Sequence, residues 1–245
     1  MLFLKINFVE ITMKTNLKSA IMKKLMLVLI SLALLFTAQA QEKKVESKNK
    51  PSEDLENLQL AYQLAKYGYK TYSAAALIEA AKIMSSVKTQ DLKYESYKQD
   101  PTPKAQDTKK SKEGYDLTSI LDAAKKYADG DPKLLAAIVD VEKANQATRG
   151  RVGGPGVNYS YVYGNGNAIY DISFREGQLA EILLRGDGDT DLDLYVYDSL
   201  GHLIAKDDDY TDLCYVCWVP VWTGRFTVKI VNRGPILNNF RIATN

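Results

Sequence analysis

A chain of 245 residues, 46% hydrophobic and 25% charged, excludes a collagenous, low-complexity or wholly disordered protein and allows one or two globular domains. The formal charge of +2 misleads, because the first 40 residues hold five lysines and one acid. Of 32 bases and 30 acids, 27 and 29 belong to the remainder. That remainder is slightly acidic, so nucleic acid is not the expected partner.

Met22-Lys23-Lys24, the apolar run Leu25 to Phe36 and Ala38-Gln39-Ala40 form the basic, apolar and small-residue segments of a signal peptide over residues 1–40. A membrane anchor needs about 20 apolar residues, and this run is shorter. Cleavage is expected before Gln41. Residues 1–21 read as an over-extended start, with Met1, Met13 and Met22 as the candidate first residues. No second long apolar run follows. An exported protein, periplasmic or secreted, is therefore expected, with no transmembrane segment after cleavage.

Residues 41–52 are polar and lysine-rich and read as a flexible tether. A helical domain is expected over 53–147. Leu55, Leu58, Ala61, Tyr62 and Ala65 recur at three- and four-residue spacings, with Gly68 as the expected stop. A second helix is expected from Ser73 to Val87. Residues 88–114 carry Pro101, Pro103 and many polar side chains, and read as a solvated, disordered loop. Helical spacing returns at Asp116 with Leu117, Ile120, Leu121 and Ala124. Gly130 ends that helix, Asp131 caps the next, and Pro132 takes its first position. The two pairs weakly resemble tetratricopeptide-type helical hairpins at an offset of 60 residues; a plain four-helix cluster is the alternative.

A Gly-rich linker is expected over 148–157, after which the period changes to two. Eight strand-like runs separated by turns predict an antiparallel β-sandwich over 158–245. The expected fold class is thus α+β in separate domains, an all-α helical-hairpin region followed by the sandwich. From Thr190 to Tyr197 the even positions are apolar or Thr, while the odd ones are aspartates and then tyrosines. Alternation sends the first set inward and the second outward.

The run Asp189-Thr190-Asp191-Leu192-Asp193-Leu194-Tyr195-Val196-Tyr197-Asp198 is the most distinctive in the chain. With the Gly201-His202 turn, Asp207-Asp208-Asp209, Trp222-Thr223-Gly224-Arg225-Phe226 and a final aromatic strand, it resembles the bacterial pre-peptidase C-terminal domain over residues 158–245. The resemblance implies a β-sandwich accessory module of exported proteins. Some members bind calcium, collagen or other extracellular polymers. It carries no catalytic residues, and here no peptidase domain precedes the module.

Nine aspartates and one base, Lys206, lie between Asp187 and Asp212. Calcium takes such hard oxygen ligands, and Asp187, Asp189, Asp191, Asp207, Asp208 and Asp209 are the candidates. A solvated acidic edge that discourages aggregation is the alternative. Cys214 and Cys217 are spaced either for a local disulfide, which requires a bulge in the strand, or for two separate thiols. His202 reads as a turn residue. Tyr159, Tyr161, Tyr163, Trp218 and Trp222 read as cross-strand packing or as an aromatic platform for glycans or peptides.

The chain has no H-E-x-x-H, G-x-S-x-G, P-loop or dinucleotide fingerprint. The expectation is a non-catalytic exported protein whose sandwich binds an envelope or extracellular polymer while its helical half contacts a protein. The alternatives are an envelope assembly factor working through the helical half, and an enzyme with an unfamiliar Asp/Tyr site.

Overall fold

The computed structural model describes residues 50–100, 114–148 and 153–245. The expected leader, most of the tether, residues 101–113 and residues 149–152 lie outside the described residues.

Among the described residues, four helices form where the caps and spacings predict them. Helix α1 (Glu53–Thr71) starts at Ser52, whose hydroxyl accepts from the Leu55 N–H, with Glu53, Asp54 and Glu56 on the positive end of the helix dipole. Helix α2 (Ala74–Ser86) is capped by Ser73 and α3 (Leu117–Tyr127) by Asp116. Helix α4 (Pro132–Thr148) starts with Asp131 accepting from the Lys133 and Leu134 N–H groups. Helix α2 sits centrally and touches the other three.

Gly68 does not stop α1. The helix runs three residues further and ends on Tyr72, which adopts the left-handed conformation (φ 55°). Gly68 is instead a point of close approach, since a Cβ there would stand 2.7 Å from Leu77 Cδ2 of α2.

Two five-stranded sheets follow. Sheet 1 has the order β1 (Gln90–Asp91), β3 (Gly156–Val162), β10 (Asn238–Thr244), β5 (Ala180–Arg185), β8 (Leu213–Trp218). Sheet 2 has the order β2 (Ser96–Asp100), β4 (Asn167–Phe174), β9 (Gly224–Asn232), β6 (Leu192–Tyr197), β7 (Leu203–Asp207). Among the described residues only β1 and β3 pair in parallel. All eight expected strand runs are present. Their inner faces, among them Ile182, Leu184 and Ile242 opposite Leu192, Leu194, Val196, Phe226 and Val228, form one buried core.

Two expectations are corrected. First, the segment read as a disordered loop supplies an edge strand to each sheet, with Ser96–Asp100 pairing along Asn167–Asp171. The glycine run read as a linker takes part in this docking. Gly154, at φ +76°, passes so close to the Lys88 carbonyl that a Cβ would stand 1.9 Å from its oxygen, and Gly156-Val157 already belong to β3.

Second, helices and sandwich are not separately packed. Val157, Leu183 and Ala243, on the outer face of sheet 1, share a buried cluster with Leu58, Ala61, Leu77 and Ile120. Residues 50–245 form one compact unit of three layers, helices on sheet 1 on sheet 2. The strand Ala180–Arg185 is buried at every position because both its faces are covered.

Candidate functional site

At the margin of that shared cluster, the helical layer and sheet 1 leave a groove of about 1050 Å³. Tyr69 and Tyr72 at the end of α1 and Asp116, Lys126 and Tyr127 of α3 line one side; Tyr159, Tyr161, Asn239 and Arg241 of sheet 1 form the floor. The floor follows from strand register. Tyr159 faces Arg241 across β3 and β10, Arg241 faces Arg185 across β10 and β5, and Tyr161 faces Asn239. Tyr159 is 61% exposed and Tyr161 42%, so both rings are open to a ligand. The Arg241 guanidinium lies 5.2 Å from the Tyr159 ring centre and donates to the Tyr62 hydroxyl at 3.0 Å. Arg185 lies beneath, 3.4 Å from the Tyr115 ring centre and 2.6 Å from Asp212.

Of the five aromatics singled out, only Tyr159 and Tyr161 reach this groove. Trp222 stacks on Phe226, and Trp218 packs between Phe174 and Phe226 at the sandwich core. Among the residues that sequence did not point to are Tyr72 at the end of α1, Tyr115 ahead of α3, Arg185 of β5, and Asn239 and Arg241 of β10.

The six acids do not converge, and among the described residues no three His, Cys, Asp or Glu side chains form a metal-holding group. Most instead serve as local acceptors. The Asp187 carboxylate accepts from the Asn239 backbone and side chain and from the Asp189 N–H. Asp207 accepts from the Tyr215 N–H, Asp208 from Lys206 and Asp209 from the Thr211 N–H. Asp191 keeps one buried, unbonded oxygen, and burial together with Asp193 and Asp209 raises its carboxyl above the usual range. Asp193 is buried against Arg233. The outward alternation holds for Asp193 as for Tyr195 and Tyr197: its carboxylate accepts from the Tyr195 hydroxyl on the same face, and Arg233, not the core, covers it.

Cys214 and Cys217 are unpaired. Strand β8 runs without a bulge along β5, pairing Cys214 with Leu184 and Cys217 with Glu181, so the thiols point to opposite faces. Cys214 donates to the Leu192 carbonyl, and burial pushes its thiol well above the usual range. A thiol reagent should therefore label Cys217 alone in the folded protein and both cysteines after denaturation. Intact mass reads the difference, and a non-reducing mass lacking two hydrogens would show a disulfide instead. His202 is the expected turn residue, bonded through Nδ1 to Asp198.

No family model and no curated protein matches the chain. Solved structures with some likeness include the Yersinia pseudotuberculosis-derived mitogen, 13% identical over 38% of this chain and 86% of that one (TM-score 0.32). Another is the Clostridium thermocellum xylanase 10B modules with xylohexaose, 15% identical over 36% of this chain and 24% of that one (TM-score 0.23). A family 16 carbohydrate binding module is 16% identical over 34% of this chain and 70% of that one (TM-score 0.23). At these values none assigns a ligand or an activity to this chain. No described helix is long and apolar enough to cross a membrane.

Proposed function

We propose that this chain is an exported, non-catalytic binding module that holds a glycan polymer in the groove between α1, α3 and sheet 1. The observation that carries it is the pair of exposed rings, Tyr159 and Tyr161, flanked on one floor by Asn239 and Arg241. A sugar ring offers a C–H face to an aromatic and hydroxyls to amide and guanidinium donors, which is the mixture this floor presents. At about 1050 Å³ the groove lies at the upper end of small-ligand sites and has room for more than one sugar ring.

The leader supports export. The missing catalytic motifs support a binding role. The Leu192–Tyr197 strand and the turns after it support a sandwich of the pre-peptidase C-terminal type.

The test is retention of the exported chain on a panel of insoluble polysaccharides and peptidoglycan. Aromatic stacking contributes about 0.5–1.5 kcal/mol per ring, so Tyr159→Ala with Tyr161→Ala should weaken binding roughly tenfold or more. Binding unchanged in the double variant, or no polymer retained, would overturn the proposal.

A further inference from the structure

The groove floor holds a charge arrangement that the protein does not complete by itself. Arg241 and Arg185 stand directly opposite on β10 and β5. Side chains so placed share a face about 5 Å apart, and like charges there repel. Arg185 has a countercharge in Asp212 at 2.6 Å and the Tyr115 ring over its guanidinium. Arg241 has the Tyr62 hydroxyl and the Tyr159 ring, and among the described residues no carboxylate pairs with it. The Nε atoms of both arginines are buried and lack an acceptor, a state that ordinarily costs stability.

The acids that line the groove do not make up the deficit. Asp187 is held by Asn239 and Asp189. Asp116 caps α3 through the Ser119 N–H, and Asp122 lies beside Lys125. Lys126 adds a further cation.

Resting on the polymer reading above, we infer that the groove takes an acidic polysaccharide, its sugar ring against Tyr159 and its ring carboxylate against Arg241. A carboxylate supplies the countercharge that Arg241 lacks, and its planar geometry matches the guanidinium fork. An acidic peptide carries the same charge but offers no pyranose face to the exposed tyrosines, so the glycan is favoured.

The experiment compares binding of the exported chain to polygalacturonate and to the same polymer fully methyl-esterified, with chelator present, at low and moderate salt. The acid form should bind at least tenfold more tightly at low salt, and the preference should shrink as salt rises. Arg241→Gln should reduce it to about twofold or less, while Arg241→Lys, which keeps the charge without the fork, should fall between. Thermal melts of both variants check folding, and the ester comparison on the unaltered protein stands whether or not they fold. Equal binding of acid and ester forms, or a preference surviving in a folded Arg241→Gln, would overturn the acidic-ligand inference alone. Failure to bind either form while another polymer is retained would also overturn the acidic-ligand inference alone, and failure to retain any polymer would overturn it together with the polymer reading. Displacement by polyglutamate as effective as by polygalacturonate at equal carboxylate concentration would overturn the glycan assignment.

Discussion

Asp212→Ala should lower the unfolding free energy by about 3–5 kcal/mol, the usual cost of removing one member of a buried ion pair. Asp212 and Arg185 are 8% and 2% exposed, and the carboxylate also accepts from the Gly188 N–H at 2.6 Å. Desolvation raises the Asp212 carboxyl even though Arg185 pulls it the other way. The pair is thus costly to bury and costlier to break. In the variant, Arg185 is left in the interior beside Arg241 with no acid to offset either. Asp208→Ala is the control. Its pair with Lys206 is solvent-exposed, at 37% and 50%, and should shift stability far less than the buried pair does. Denaturant midpoints of the two variants read the contrast, and equal shifts would show that burial of the Arg185 pair is not what matters.

Glu181→Ala should cost about 3 kcal/mol, from three donors losing one shared acceptor. Glu181 is fully buried. It accepts from the Ser52 N–H at 2.8 Å, the Tyr215 hydroxyl at 2.6 Å and the Asn245 side chain at 3.0 Å. Burial, and then the bond to Glu181, holds the Tyr215 phenol well above its usual range. One carboxylate thereby joins the start of α1, strand β8 and the last residue. Glu181→Gln keeps one acceptor oxygen and should cost roughly half as much. Hydrogen exchange should quicken first at Glu53–Leu58 in the alanine variant. A loss under about 1 kcal/mol would show that water replaces the carboxylate freely.

The sandwich was legible because most of its eight strands alternate apolar and polar side chains between clear turns, and the helices because their caps and spacings agree. Strands β1 and β2 were not legible. Ser96-Tyr97-Lys98-Gln99-Asp100 carries little apolar periodicity, and it is a strand because β4 offers a free edge. A glycine needed for close packing, as Gly68 is, and one that ends a helix look alike in sequence. The joining of helices to sheet had a signal in Ile182-Leu183-Leu184, three consecutive buried apolar residues, where a one-sided sheet would alternate. The groove had none. Tyr72, Tyr115, Arg185 and Arg241 meet only through register and layer packing, and Arg241 sits in a strand read for its aromatic and aliphatic neighbours.

Strand β10, where this sequence ends, lies in the middle of sheet 1 between β3 and β5. Until Asn238–Thr244 take their place, β3 and β5 have no common neighbour, and the floor row Tyr159, Arg241, Arg185 does not exist. Its pairings span long sequence separations, from Tyr159 to Arg241 and from Arg185 to Arg241. Such non-local closure is slow relative to helix formation. A growing chain can therefore form its helices early, but one edge of β3 and one edge of β5 stay without a partner until Asn238–Thr244 have been made.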